Sequence, residues 1–512
     1  MSLGGLPKAQ TEPRLVWVVV QLAALSFYKP LTVVVGPQRA VASVLSALVL
    51  GLLVTVVSYS VFFLCRPLAK SGWKALVWTS VTILFFWNWT ALSLGEAIPP
   101  WLISGALFLL AIAGIGRFAG YRRFQMGAFV ASVTISATLL GLLIRDEITT
   151  PAPVVSAAQS PAISEMTTKP DVLFILLDGY ARSDVLSSLY DFDNSEFLGQ
   201  LEAEGFTVPS SSNANYTGTH FSLPSMLEMS YLAEPGQFVS NSDLEALAQM
   251  ISGDNLLVET LKSNGYTYIH GDTDHWLNTC GTQVDICLPG PLIDITGDAL
   301  LANTPLGPLV YPTSGSPTTA LNLDRLDELS NWNEFSQTLP EGPRFVFLHL
   351  VLPHPPLFLD SSCAPRVDPD LDGHNVSSQS IPVELLPKRR SAYVDQVGCA
   401  NRTVLEFLEQ VDRDAVIVIT ADHGPDSLNP LVESPETWTP EQVKERFAAF
   451  SAMRLPPNCD ARLDENHQLV NTFRVVLGCL TSTSPVILEE RFFAVSYGGL
   501  VLELKNPDQD AE

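Results

Sequence analysis

Three places in this 512-residue chain end an apolar run on side chains able to bind a cation or move a proton. Val172 to Leu177 runs into Asp178 and Gly179, Phe345 to Phe358 reads FVFLHLVLPHPPLF, and Val416 to Ile419 leads into Ala421-Asp422-His423-Gly424. A carboxylate and an imidazole on adjacent residues just past a strand can reach one divalent ion from a tight turn, and Asp178 arrives from another strand end. Mixed carboxylate and imidazole ligands suit zinc or manganese. On spacing alone, Asp422-His423-Gly424 could equally be a salt-bridged turn, and Asp178 a turn aspartate after a core strand.

These residues need elements to hold them. Short apolar runs bounded by turn residues read as buried, parallel strands. We expect strands at 171–177, 266–270, 344–350 and 415–420, and helices at 194–204, 254–264, 386–411 and 466–480. That alternation predicts an α/β domain with a mostly parallel sheet, whose ligand sites lie outside the carboxyl ends of the strands. It would span 170–499, followed by a C-terminal tail at 500–512 that is frayed and acidic from Asn506.

The first 147 residues are a different physical object. They carry eleven basic and four acidic residues, against 18 basic and 50 acidic in the remainder. Apolar runs at 15–35, 40–65, 75–94, 100–118 and 125–144 approach or reach the ~20 residues that a membrane span needs. We read five transmembrane helices. The first is interrupted by Lys29 and Pro30, and a signal peptide is its alternative. With the N-terminus inside, Lys8, Arg14, Arg66, Lys70, Lys74, Arg117, Arg122 and Arg123 fall on inner segments, and Lys29, Arg39 and Arg145 on outer ones. This fits the positive-inside rule and puts the C-terminal domain outside the cytoplasm. Residues 148–169, rich in Pro, Ser, Thr and Ala, read as a linker. Six of the seven cysteines lie in the acidic part, which suits an oxidising compartment, with free buried thiols as the alternative. Cys280 and Cys287 are the first expected disulfide. The acidic balance argues against a nucleic-acid partner.

LLDGY, then Thr219-x-x-Ser222-x-Pro224, then His349-x4-His354-x-Pro356, then ADHG, in that order, resembles the alkaline phosphatase/sulfatase superfamily. Within it, the five spans and outer domain resemble the membrane phosphoethanolamine transferases and the lipoteichoic-acid-synthase-type phosphoglycerol transferases. The resemblance implies a sulfatase-like α/β/α domain and a divalent zinc or manganese ion held by Asp178, Thr219, Asp422 and His423. Thr219 would be the covalent nucleophile, with Thr217 as the alternative, and His354 the phosphate-facing or proton-donating histidine. His349, His275 and Arg182 would be substrate contacts; for Arg182 an exposed helix position is the competing reading. A helix starting near Ser222 to Pro224 would turn its positive end toward Thr219. The sulfatase Cys/Ser-x-Pro-x-Arg signature is broken, because Met226 stands at the arginine position. The implied activity moves a phosphoglycerol- or phosphoethanolamine-type group from a phospholipid to an envelope glycan or glycolipid. A membrane-anchored hydrolase and an inactive binding protein are the alternatives. Asn215, Asn375 and Asn401 head glycosylation sequons, a pattern frequent by chance.

Overall fold

The computed structural model describes residues 12–35, 44–88, 122–149, 165–273, 278–288, 317–366, 382–428, 434–456, 465–496 and 499–508, with isolated positions at 290–306, 368, 371 and 459. The chain forms two compact units: residues 1–150 with 293–313, and residues 151–292 with 314–512. The interruption at 293–313 was not expected from the sequence.

The first unit contains helices Leu15–Val35, Val44–Ala69, Gly72–Trp87 and Arg122–Thr149. Val18, Leu22, Trp73, Leu76 and Trp87 pack inward, while Leu45, Leu52, Leu53, Val56, Leu64 and Leu68 point outward. Such an outward apolar surface is unstable in water and natural in lipid. Gln21 donates to Ser80 Oγ at 3.0 Å and Trp87 Nε1 to the Ser26 carbonyl at 3.1 Å, two polar pairings between helices inside the bundle. Leu15–Val33 and Leu45–Ala69 are long and apolar enough to cross a membrane. Of the other expected spans, the third is the 16-residue helix Gly72–Trp87, the fourth lies outside the described residues, and the fifth has a shorter apolar section, Gln125–Gly141.

The second unit is built on a six-stranded sheet in the order β3-β2-β4-β1-β5-β6, from β1 (Val172–Leu177), β2 (Thr267–Gly271), β3 (Ile286–Leu288), β4 (Arg344–Leu350), β5 (Val416–Thr420) and β6 (Ser451–Arg454). All pairs are parallel except β5 with β6. Every residue of β1 and β5 is buried, because helices cover both faces. Each fully buried Val, Leu, Ile or Phe there contributes about 1.5–3 kcal/mol relative to exposure. The register aligns Leu176 of β1 with His349 of β4 and Thr420 of β5, so all three strands end at one level.

The four expected strands are present within a residue or two. The helix expected at 466–480 begins at Thr472, because His467 and Leu469 pair instead with Asn213. The expected tail is largely structured: β8 (Val501–Leu504) pairs with β7 (Phe492–Val495), and Asp508 bonds Arg182 at 2.6 Å. The linker also ends earlier than expected, since the Thr167 amide donates to the Leu480 carbonyl at 2.8 Å. Asn215 and Asn401 are buried and hydrogen-bonded, which removes both as glycan acceptors; Asn375 is outside the described residues.

The expected Cys280–Cys287 disulfide is formed, together with Cys363–Cys399 and Cys459–Cys479. Cys363–Cys399 closes the longest loop, 36 residues, and ties the segment after His354 to helix Leu386–Leu408. Replacing both cysteines by serine is expected to lower unfolding free energy by about 2–4 kcal/mol in denaturant titration. An unchanged midpoint would show that this cross-link does not constrain the unfolded chain.

Candidate metal and nucleophile site

The ends of β1, β4 and β5 bring the predicted residues to one place. Asp178 follows β1, and its amide donates to the Leu350 carbonyl at 3.0 Å, which fixes its position against β4. Gly179 turns the chain with φ +70°, a conformation that favours glycine, beside the His354 ring. Tyr393 braces this turn, donating to the Gly179 carbonyl at 2.8 Å and accepting from the Ala181 amide at 2.9 Å. Beyond β5, Asp422 Oδ1 accepts from the Gly179 and His423 amides, at 3.2 and 3.0 Å. The two ligand turns are thereby joined through one carboxylate oxygen. A Cβ on Gly424 would stand 2.0 Å from the Glu445 carbonyl, so only glycine lets the loop lie this close to helix Pro440–Phe447.

Thr219 comes from a third direction. Its helix, Thr219–Leu227, starts three residues before the expected point and leaves Pro224 inside. The start is set by Gly218, whose carbonyl accepts from the Ser222 amide at 3.0 Å, and Thr219 is the first helical residue. Ser222 Oγ donates to the Asp422 carbonyl, so the serine of the Thr-x-x-Ser pattern ties this helix to the ligand turn. The positive end of the helix faces the Thr219 side.

Asp178, Asp422 and His423 are fully buried, with ligand atoms within 4.8 Å of one another. His423 Nδ1–H donates to the Gly424 carbonyl at 3.0 Å, which leaves a lone pair on Nε2. That nitrogen lies 3.2 Å from Thr219 Oγ, 3.3 Å from Asp422 Oδ2 and 3.6 Å from Asp178 Oδ1. Burial, and then the Arg446 charge, hold the imidazole well below its ordinary pKa, so it is neutral at physiological pH. A neutral nitrogen lone pair facing two carboxylate oxygens is a repulsive arrangement that a cation reverses. The residues present therefore fit a divalent ion, and the N/O donor set suits zinc or manganese.

The two carboxylates are not equivalent. Burial raises Asp178, but the electrostatic pull of His354 and the hydrogen bond from His349 outweigh it and hold the group well below the carboxylate range. Burial, and then the Asp178 charge, push Asp422 up to about 6. Two acids sharing one buried space cannot both ionise cheaply without a cation.

The structure separates the remaining candidates. Asn278 Nδ2 donates to His349 Nδ1 at 2.9 Å, so His349 Nε2–H donates to Asp178 Oδ2 at 3.2 Å. His349 is thus set to orient a ligand carboxylate. His354 is held by its backbone N–H, which donates to the Asp178 carbonyl at 2.9 Å, and by Nδ1–H, which donates to the Pro355 carbonyl at 2.6 Å; its ring centroid lies 6.2 Å from that of His423. Thr219, and not Thr217, has its hydroxyl against His423. His275 is outside the described residues. His270 is buried on β2 against Tyr268 Oη at 2.6 Å, and burial drives it down to about 3. Arg182 is neither in the cluster nor an exposed helix residue: it is buried and bonds Asp184, Asp508 and Asn213.

Sequence reasoning missed Arg446. This buried arginine donates to the Thr217 carbonyl and to the Gly424 carbonyl, both at 2.7 Å, and so joins the loop before Thr219 to the Asp422-His423 loop. Nothing in KERFAAF marks it, because its function depends on antiparallel β6 returning the preceding helix to the site.

A sulfatase family model matches residues 170–477. The chain belongs to the sulfatase family, a class of α/β enzymes within the alkaline phosphatase superfamily. No curated protein matches it. Among solved structures, the zinc complex of the periplasmic domain of EptC from Escherichia coli is 13% identical, covering 69% of this chain and 95% of that one, with TM-score 0.39. The integral membrane lipooligosaccharide phosphoethanolamine transferase EptA from Neisseria meningitidis is 14% identical, covering 91% and 95%, with TM-score 0.33. A glycosaminoglycan 4S-sulfatase from Bacteroides thetaiotaomicron is 13% identical, covering 66% and 84%, with TM-score 0.40.

Two predictions follow from this geometry. Asp422→Ala is expected to abolish tight metal retention in elemental analysis of the dialysed protein. His349→Ala, which leaves every proposed ligand in place, is expected to weaken retention about 10–100-fold; wild-type retention in His349→Ala would remove its orienting role. The second concerns Arg182. Burial raises Asp184, but Arg182 and then Lys444 outweigh it and pull it down to about 2. A depressed folded-state value adds stability above the unfolded value of ~4 and loses it as pH falls toward the folded one. Arg182→Gln should therefore lower stability at neutral pH and flatten the acid-side loss between about pH 4 and 2. Parallel wild-type and variant stability profiles would contradict this.

Proposed function

We propose that this protein is a membrane-bound, metal-dependent phosphotransferase. It moves a phosphoglycerol- or phosphoethanolamine-type group from a phospholipid to a cell-envelope glycan or glycolipid, through a covalent intermediate on Thr219. The observation that carries this reading is the Thr219 hydroxyl, 3.2 Å from His423 Nε2 at a helix N-terminus and beside two buried carboxylates. An ordinary buried threonine would need none of these.

Asp178, Thr219, Asp422 and His423 would hold the ion. When bound, zinc or manganese lowers the proton affinity of a hydroxyl and withdraws charge from a phosphoryl oxygen. Thr219 Oγ gives its proton to solvent and forms a bond to phosphorus, while the phosphorus–oxygen bond to diacylglycerol breaks. His354 gives the departing oxygen its proton. In the second half an acceptor hydroxyl attacks the same phosphorus, His354 takes the hydroxyl proton, and Thr219 Oγ leaves and regains a proton from solvent. The helix end at Thr219 favours the anionic phosphoryl group in both halves.

The apolar helices of the first unit supply the reason for a lipid donor. A five-span anchor with the catalytic unit outside the cytoplasm would hold the protein in the membrane that carries such a donor. The three disulfides of that unit support an oxidising compartment.

Incubation of the metal-loaded protein with envelope phospholipids is expected to leave a mass adduct that fragmentation maps to Thr219 and that Thr219→Ala lacks. His354→Ala should slow its formation by about 10²–10⁴-fold. Turnover of a soluble phosphodiester to water, without any adduct in wild-type protein, would favour the hydrolase and sink the transferase reading.

A further inference from the structure

His354 sits in a segment that cannot hold itself. Leu352 to Leu359 reads LPHPPLFL, and Pro353, Pro355 and Pro356 have no amide N–H to give. His354, Leu357, Phe358 and Leu359 are nevertheless buried, so the carbonyls and remaining amides here need the partners that a regular element would otherwise supply. One side chain makes four of these bonds. Gln396, fully buried on helix Leu386–Leu408, donates from Nε2 to the carbonyls of Pro353 and His354, both at 3.3 Å. Its Oε1 accepts from the amides of Phe358 at 2.8 Å and Leu359 at 3.1 Å. A carboxamide has two N–H groups and two lone pairs on oxygen, and all four are used here.

Residues three apart share a helix face. Tyr393, three residues before Gln396, braces the Gly179 turn, so one face of this helix holds both the turn after Asp178 and the loop of His354. The main chain at His354 is clamped on both sides, its amide by the Asp178 carbonyl at 2.9 Å and its carbonyl by Gln396. Proton transfer is sensitive to such placement, since a shift of about 1 Å can cost about 10²-fold in rate. We propose that Gln396 is a positioning residue for the transfer reaction and acts through His354. Its carboxamide keeps the imidazole where it can protonate the departing oxygen and take the acceptor's proton. This deepens the transferase reading and rests on it.

The test changes only the leaving group. Full-length protein loaded with manganese or zinc receives either vesicles of phosphatidylglycerol and phosphatidylethanolamine or the p-nitrophenyl diesters of the same two phosphoryl groups. Both kinds of donor leave the same adducts, as the Thr219 Oγ–phosphorus bond replaces the phosphorus–oxygen bond to diacylglycerol or p-nitrophenol and the threonine proton goes to solvent. Diacylglycerol leaves as an alcohol and draws a proton from His354, whereas p-nitrophenolate leaves as a stable anion and draws none. Intact mass reads the rates. Gln396→Met, similar in length but without the carboxamide, is expected to slow lipid labelling about 10–100-fold and to leave p-nitrophenyl labelling near wild type, the pattern that His354→Ala gives more strongly. Adding Gln396→Met to His354→Ala should cost nothing further, because the two act as one unit. Gln396→Glu keeps an acceptor for Phe358 and Leu359 and loses the paired donors; it should give the same pattern, and it carries the test if Gln396→Met does not fold. Melting temperature and metal content report the fold. Equal slowing with both donors, or with neither, in a folded variant overturns the positioning role and leaves the transferase reading standing. So does a full further loss in the double variant. No adduct from the lipids in wild-type protein overturns the transferase reading, and this assignment with it.

Discussion

The second unit is organised around a repulsion. Asp178 and Asp422 approach one another fully buried, and a neutral imidazole turns its lone pair toward both. Left alone, this arrangement would push its members apart or force one acid to take a proton. It persists because rigid elements impose it. Three parallel strands end at one level, the Asp422 carboxylate accepts two backbone amides, and Gly424 lets its loop press on helix Pro440–Phe447. The scaffold thus stores an electrostatic demand that a divalent ion meets, consistent with its membership of the sulfatase family.

Around that demand the surrounding groups have distinct tasks. His349 and Asn278 form a directed relay that fixes which oxygen of Asp178 is occupied and which faces the cluster. Ser222 and Arg446 belong to the backbone connections: each joins the nucleophile segment to the ligand turn through a carbonyl. Thr219 is therefore placed by its neighbours' main-chain contacts as much as by its own hydroxyl. This explains why Thr217, two residues away in the same threonine-rich turn, does not compete for the position.

Much of this was legible in the residues. β1 is an uninterrupted apolar run, β4 and β5 contain the apolar runs Phe345 to Leu348 and Val416 to Ile419, and the strand ends carry Asp178, His349 and Asp422-His423. The unreadable parts share one property: they are specified by distant partners. β6, β7 and β8 have four residues each, too few to show a period, and form because a neighbour supplies the ladder. Arg182 looked like a helix-surface residue because Asp508, its partner, lies 326 positions away. The helix at 219 begins early because Gly218 caps it, whereas Pro224 alone suggested a later start. Arg446 could not be singled out at all, since its partners are carbonyls, which leave no trace in side-chain identity.

The hairpin of β7 and β8 has a consequence for how the protein becomes competent. The Phe493 amide donates to the Asn215 carbonyl at 2.8 Å, and the Arg491 carbonyl accepts from the Asn215 side chain at 3.0 Å. The loop leading to Thr219 thus takes its register from a segment synthesised almost three hundred residues later. In a chain made from its N-terminus, the proposed nucleophile Thr219 takes its register only after β7 has emerged. A partly made chain would hold Thr219 out of alignment with Asp422 and His423, so the order of synthesis keeps the candidate site unassembled until β7 is in place.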